Sequence, residues 1–232
     1  MEPLSKKSKN DNYVRYEGHR KTIYGVAFNP YLEEDPLFAT VAENRKDEAF
    51  FAVCWAYDVD NQLHLVVFAG NRGIIRVLGA LTGELRNTLV GHGDAVNDLQ
   101  VCPNDGLIIA SASKDFTARI WNIHNSACLA ILGGVEGHLD QDFDASSQYL
   151  ATASMDHSVK LWYIGKGSGV DRLIEQSKAD LKLVDQPVEI HYPRCSTRDV
   201  HTNYVDCVRI FHRLIFSKVK LSALRKSVFH DM

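Results

Sequence analysis

The sequence lacks the features that mark several large classes of protein. It has five cysteines and no Cys-x-x-Cys pair, which fits reduced intracellular thiols better than a zinc site or a disulfide framework. It has neither an apolar run of membrane-spanning length nor the hydrophobic core of a signal peptide. The formal net charge of −3 gives no reason to expect a nucleic-acid surface. We therefore expect no metal, no cofactor, no membrane partner and no direct sequence-specific DNA binding.

The composition is that of an ordinary globular protein, with 45% hydrophobic and 24% charged residues. Residues 1–12 are polar, and we interpret them as a disordered tail rather than a nuclear-import patch. Residues 218–232 include four basic residues without a clear period and are expected to be irregular. The sequence thus predicts one folded domain over residues 13–217.

Short apolar stretches with β-branched residues recur between turn residues, a pattern that predicts antiparallel β-structure. One segment departs from it. Apolar residues between positions 168 and 184 follow helical spacing, and Ser168 is a candidate N-cap. We expect an amphipathic helix there, inserted into an otherwise all-β domain.

One unit of four residue types occurs twice. In both copies a hydroxyl residue lies four positions before an aspartate, and a tryptophan lies six positions after it. The two tryptophans are 41 residues apart, within the usual period of one four-stranded blade of a WD40 propeller. With the histidine that precedes each copy, the members are His92, Ser111, Asp115 and Trp121, then His138, Thr152, Asp156 and Trp162.

Two functions are open for such a unit. In a propeller blade the aspartate accepts a hydrogen bond from the histidine, and the hydroxyl links the histidine to the indole. Alternatively, Ser111, His92 and Asp115 could form the triad of a serine hydrolase. The sequence has no Gly-x-Ser-x-Gly elbow, and threonine replaces the serine in the second copy. We therefore favour a structural role and predict no enzyme.

The repeats also predict an incomplete propeller. His138 and Asp156 are only 18 residues apart, against 23 in the first copy, so residues 139–143 are expected to be too short for a full innermost strand. The first unit, which begins at His19, is expected to lack two strands. We count two near-complete blades, a damaged first one and the start of a fourth, or about three to four recognisable blades, whereas a closed ring usually has four to eight.

Five runs of sequence are more specific than the general blade pattern: residues 69–76, 91–97, 133–138, 155–162 and 196–209. These runs resemble the extra sex combs / embryonic ectoderm development family. That resemblance implies a seven-bladed, non-catalytic subunit of Polycomb repressive complex two, located in the nucleus. It also implies two kinds of partner: a histone methyltransferase catalytic subunit with the other Polycomb subunits, and a methylated histone tail.

The family binds trimethyl-lysine in an aromatic cage, whose first half falls on Tyr24 and Phe51 by position. The family has tyrosine at the place of Phe51, and its remaining cage aromatics belong to later blades. The alternative is that both rings pack in a core. We expect a chromatin scaffold and histone-tail reader that acts in transcriptional repression. A generic WD40 adaptor in another complex, or a truncated non-functional isoform, remains open.

Overall fold

The computed structural model describes residues 19, 21–32, 37–43, 48–133, 138–179, 186–219 and 225–228. These residues form eighteen strands, one helix and connecting turns. The predicted tail at 1–12 lies outside the described residues. Among those described, no helix is long and apolar enough to cross a membrane.

Three sheets are complete blades of antiparallel strands. The strands of the second blade are β3 (Phe50–Asp58), β4 (Leu63–Gly70), β5 (Ile75–Gly79) and β6 (Leu85–Leu89). Those of the third blade are β7 (Val96–Cys102), β8 (Asp105–Ser113), β9 (Thr117–Asn122) and β10 (Ala127–Gly133). Those of the fourth blade are β11 (His138–Phe143), β12 (Tyr149–Ser154), β13 (Val159–Tyr163) and β15 (Cys195–Thr197).

Two smaller sheets lie at the ends. The first contains β1 (Ile23–Phe28) and β2 (Phe38–Ala42), and the fifth contains β16 (Val205–Phe211), β17 (Leu214–Val219) and β18 (Arg225–Val228). A further strand, β14 (Val188–Ile190), joins the third blade in parallel to β10. The two-stranded first sheet agrees with the expectation that its unit lacks two strands.

The inner strands β1, β3, β7, β11 and β16 pack side by side in that order and line a central channel. The five sheets therefore form an arc, which confirms the predicted incomplete propeller. The apolar core consists of layers between neighbouring blades. Trp121 lies in the layer between the second and third blades, Trp162 in the next one and Val208 in the last.

Helix α1 (Gly169–Ala179) begins where the sequence predicts it. The Ser168 hydroxyl accepts a hydrogen bond from the Asp171 amide at 3.0 Å, as an N-cap does. Val170 is buried, and Leu173 and Ile174 pack against the layer between the third and fourth blades. The helix ends at Ala179, and the last residues of the predicted segment, 180–184, lie outside the described residues.

Two predictions about strands are wrong. Residues 139–143 were expected to be too short, but β11 is a six-residue strand that pairs with β12 along its length. Its neighbours β7 and β16 supply additional hydrogen bonds, described below. The segment 218–232 was expected to be irregular, whereas β17 extends to Val219 and β18 pairs with it.

The number of blades predicted from the sequence did not include the second blade as a separate unit. Its strands lack the repeated histidine, hydroxyl, aspartate and tryptophan residues. The strand register shows which residue of the second blade replaces the hydroxyl residue. Phe68 pairs with Arg76 as Ser111 pairs with Arg119, so Phe68 is equivalent to Ser111. By the same register, Leu78 stands where the third blade has its tryptophan. An apolar pair thus replaces the hydroxyl and the indole, and the strands form without them.

Candidate functional site

The five inner strands share a β-bulge next to their first residue. At each bulge the pairing register shifts by one residue, which leaves an extra residue on the inner strand. Bulges often direct a side chain toward a functional site. The extra residues are Tyr24, Phe51, Asn97, Leu139 and Asp206.

These bulges lie at one cavity. Tyr24, Phe51, Asn97 and Asp206 all line a cavity of about 840 Å³ in the channel. The side chain of Leu139 lies outside the described residues. We call the rim formed by the bulge residues the channel mouth. The volume of the cavity falls within the range of about 300–1,000 Å³ that is typical of ligand sites.

The two residues expected to form half of the cage lie together at this mouth. The Tyr24 and Phe51 ring centroids are 5.3 Å apart with an interplanar angle of 80°. Tyr24 remains 49% exposed, so the pair is not a core contact. Two rings at right angles present their faces to one volume, where a methylated ammonium can be attracted to both.

Gly25 permits this approach of β1 to β3. A Cβ at this position would lie 3.0 Å from the Phe51 carbonyl oxygen and 2.9 Å from Val41 Cγ2. A larger residue would require the Val41 side chain and the Phe51 backbone to shift. The glycine after Tyr24 therefore keeps the two rings within reach of each other.

The first of the repeated units forms a continuous chain of hydrogen bonds. Trp121 Nε1 donates to Ser111 Oγ at 2.8 Å, and His92 Nε2 lies 2.7 Å from the same hydroxyl. His92 Nδ1 lies 2.7 Å from Asp115 Oδ2. With Nδ1 protonated, the serine hydroxyl donates to Nε2, and every polar atom of the chain has a partner.

Electrostatics agrees with a neutral histidine. Burial lowers the pKa of His92 and outweighs the opposing effect of Asp115. Partial burial of Asp115 acts to raise its pKa, but the hydrogen bonds from His92, Thr117 and the Gly93 amide hold that pKa well below the usual range. The pair is thus an imidazole donating to a carboxylate.

These distances also match a catalytic triad, but the surroundings do not. Ser111 is 0% exposed and already accepts the indole N–H, so no substrate carbonyl can reach its oxygen. The His92 side chain is likewise 0% exposed. The arrangement joins the loop before β7 to the strands beneath it.

The second unit differs in its aspartate. Trp162 Nε1 donates to Thr152 Oγ1 at 3.0 Å, as in the first unit. Asp156 accepts from Ser158, from Lys160 Nζ at 3.1 Å and from Arg198 Nη2 at 2.8 Å. Partial burial acts to raise the pKa of Asp156, but these donors lower it. The side chain of His138 lies outside the described residues.

Two further histidine–hydroxyl pairs were not predicted from the sequence. His19 Nε2 lies 2.9 Å from Thr40 Oγ1, and His201 Nε2 lies 2.7 Å from Ser217 Oγ. The signal was present, because His19 and His201 each precede an inner strand. Their hydroxyl partners lacked the aspartate and tryptophan that marked the other units.

Carboxylates join the inner strands of the last three blades below the mouth. Asp98 Oδ2 accepts the Gln141 amide at 3.3 Å, Asp140 Oδ2 the Val208 amide at 3.1 Å and Asp142 Oδ2 the Ile210 amide at 2.7 Å. Burial raises the pKa of Asp142 to about 6. These bonds explain why β11 forms despite its short connection.

Comparison with known proteins gives consistent results. Residues 83–122 and 127–163 match the family model described as WD domain, G-beta repeat. Polycomb protein esc of Drosophila melanogaster is 36% identical over 243 residues, which cover 90% of this chain and 56% of that protein. The chain spans about half the length of the curated relatives it matches.

Two solved structures from Chaetomium thermophilum share the fold. A chain of polycomb repressive complex 2 is 29% identical with a TM-score of 0.75, covering 86% of this chain and 46% of that one. A chain of the same complex solved with H3K27me3 is 29% identical with a TM-score of 0.72, covering 84% of this chain and 46% of that one.

Proposed function

The chain belongs to the extra sex combs / embryonic ectoderm development family of WD40 proteins, and from this premise we propose that it is a non-catalytic chromatin scaffold in the nucleus. In this role it joins a Polycomb histone methyltransferase complex, binds a trimethylated histone tail and contributes to transcriptional repression. The family membership confirms the resemblance inferred from the sequence. Relatives whose names and structures refer to Polycomb proteins support the choice of complex.

The aromatic pair at the channel mouth carries the proposal. Tyr24 and Phe51 occupy equivalent bulges of neighbouring inner strands and meet at 5.3 Å beside an open cavity. A quaternary ammonium near aromatic faces gains about 0.5–1 kcal/mol at exposed sites and about 2 kcal/mol when desolvated. Since Tyr24 is half exposed, the pair alone supports a modest preference for the methylated lysine.

A scaffold role suits the rest of the molecule. The polar units are internal to their blades, so they hold the arc in shape without reacting with a ligand. We infer that the blades supply a rigid surface and that chemistry on the histone belongs to the methyltransferase subunit. Affinity purification of the chain from nuclei tests this role. We expect a histone methyltransferase among its partners, and a purification without one would contradict the scaffold role.

Peptide titration tests the reader role. We expect a histone-tail peptide with trimethyl-lysine to bind the purified chain several-fold more tightly than the unmodified peptide, because about 1 kcal/mol corresponds to roughly fivefold. Tyr24→Ala should abolish the difference. Tyr192→Ala is the matched control, since this tyrosine is 88% exposed and lies outside the channel cavity. Equal affinity of the wild-type chain for both peptides would refute the reader role.

A further inference from the structure

A second cavity, of about 720 Å³, lies between the outer strands of the third and fourth blades. Its walls come from the end of β10, from Asp156 in the turn between β12 and β13, from β13 and β15, and from residues 191–193. We call it the rim pocket. Among the described residues, none lines both this pocket and the channel cavity. A ligand in the rim pocket would therefore occupy a site separate from the aromatic pair.

Strand pairing places several polar side chains at one wall of the rim pocket. Lys160 on β13 pairs with Ser196 on β15, and Arg198 follows two residues after Ser196. Residues two apart along an extended chain lie on the same face. Lys160 Nζ donates to Asp156 Oδ2 at 3.1 Å, and Arg198 Nη2 donates to the same oxygen at 2.8 Å. The fold thus brings a lysine, an arginine and a serine to one wall.

The charges at this wall do not balance. Partial burial acts to raise the pKa of Asp156, but its donors hold that pKa below the usual value, so the group is ionised. Among the described residues that line the pocket, Asp156 is the one carboxylate. Two cations and one carboxylate leave a formal excess of one positive charge. His191 adds nothing to this excess, because its Nε2 lies 3.5 Å from Glu189 Oε2.

Both cations can interact with a ligand. The Lys160 side chain is 8% exposed, and solvent screens a buried charge less than an exposed one. The Arg198 side chain is 58% exposed and is accessible from solvent. In the described part of the chain their shared acceptor is Asp156 Oδ2, and they carry more N–H donors than one oxygen can accept. The rim pocket therefore offers hydrogen-bond donors and net positive charge to an anion.

These donors match a phosphate monoester better than other anions. A phosphoryl group carries about −1.5 to −2 charge at neutral pH and several strong acceptor oxygens, so it can accept from an ammonium, a guanidinium and a hydroxyl together. A carboxylate carries less charge and has fewer acceptor positions. A nucleic-acid backbone is usually bound by an extended basic surface, whereas this chain has a formal net charge of −3.

We propose that the rim pocket binds a phosphorylated serine or threonine side chain of a partner peptide, with the phosphoryl group at Lys160, Arg198 and the Ser196 hydroxyl. Binding at this site would make the attachment of a partner depend on phosphorylation of that partner. The inference goes beyond the proposed function, since it requires neither a methylated lysine nor the aromatic pair.

Titration with three labelled peptides tests the proposal. The peptides share one sequence of glycine and alanine around a central serine, phosphoserine or glutamate, and their affinities for the purified chain are measured by fluorescence anisotropy. For the wild-type chain we expect the phosphoserine peptide to bind about tenfold more tightly than the serine peptide, the scale of one charge-assisted hydrogen bond. Arg198→Gln should reduce this preference to less than about threefold.

A matched control lies on the same segment of the chain. Arg194→Gln removes an exposed arginine that does not line the rim pocket and should retain the tenfold preference. Arg198→Lys should restore part of the preference that Arg198→Gln loses. Thermal unfolding of Arg198→Gln should match that of wild type, since Asp156 retains Lys160 and Ser158 as donors.

Four results would overturn the proposal. The first is equal affinity of the wild-type chain for the phosphoserine and serine peptides, a comparison that depends on no variant. The second is an Arg198→Gln variant that retains the full preference. The third is a glutamate peptide that binds as tightly as the phosphoserine peptide, which would assign the pocket to carboxylates. The fourth is a short DNA duplex that binds more tightly than the phosphoserine peptide and depends on Arg198, which would assign it to nucleic acid.

Discussion

The second and third blades solve the same packing problem with different chemistry. In the third blade, Ser111 and Trp121 belong to a hydrogen-bond chain that ends at Asp115. In the second blade, Phe68 and Leu78 stand at the equivalent positions. There the Phe68 ring contacts Phe50 edge-on at 4.9 Å, and Arg76 lies over Phe50 and pairs with Glu48.

The difference shows that a blade of this fold does not need the polar chain. Both blades have four antiparallel strands, to which β14 adds a parallel one in the third blade, and they share one apolar layer between them. The hydrogen-bond chain in the third blade is therefore one means of joining the loop to the strands. It resembles a catalytic triad because it uses the same three residue types to do so. Its members should affect stability far more than binding.

The largest expected effect comes from making the third blade resemble the second. Trp121→Leu places the residue type of Leu78 at the equivalent position but leaves a cavity and deprives Ser111 of its indole donor. We expect a loss of about 3 kcal/mol or more in the free energy of unfolding, measured in urea. Tyr192→Leu, at an exposed site, should change it by less than about 0.5 kcal/mol. A similarly small change for Trp121→Leu would contradict the account of this blade.

Removal of the central hydroxyl should have an intermediate effect. Ser111→Ala leaves the Trp121 N–H and His92 Nε2 without their shared partner, so we expect a loss of about 1–3 kcal/mol. Ser111→Thr retains the hydroxyl, as Thr152 does in the fourth blade, and should lose less. The two variants are compared by thermal unfolding. A Ser111→Ala variant as stable as wild type would show that the hydrogen-bond chain contributes nothing to the free energy of unfolding.

The smallest expected effect is on how the free energy of unfolding depends on pH. The apolar residues of the second blade should not contribute to this dependence. The pKa of His92 is lowered in the folded state relative to about 6.5 when unfolded. The unfolded chain therefore binds more protons near that pH, and the free energy of unfolding falls as pH decreases below about 6.5. His92→Gln removes this contribution. We expect its stability to fall less steeply than that of wild type between pH 7 and 5, and parallel curves would count against a buried neutral histidine.

Sequence spacing was sufficient to predict the third blade. Its histidine, serine, aspartate and tryptophan all have hydrogen-bond partners only when they meet in the geometry of a blade. It was insufficient for the second blade, whose apolar substitutes at Phe68 and Leu78 carry no signature of their own. It also failed for β11, since the carboxylates that stabilise this strand lie on β7 and on β11 itself and act across blade boundaries. Such contacts depend on tertiary structure and leave no local pattern.

The candidate site was predicted only in part for a similar reason. The resemblance placed Tyr24 and Phe51, but the bulge that they share with Asp206 is a property of strand register. A bulge has no fixed residue type, as the aromatic, amide, apolar and acidic residues at the five positions illustrate. Only the pairing of strands reveals that these residues are equivalent.

The central claim is that the blades provide stability and the channel mouth provides recognition. One measurement tests it most directly: unfolding free energy and peptide affinity for both Ser111→Ala and Phe51→Ala. We predict that Ser111→Ala lowers stability but retains the preference for trimethyl-lysine at temperatures where it is folded. Phe51→Ala should lose that preference with little change in stability. A Phe51→Ala variant that still discriminates trimethyl-lysine from lysine as well as wild type would contradict the account.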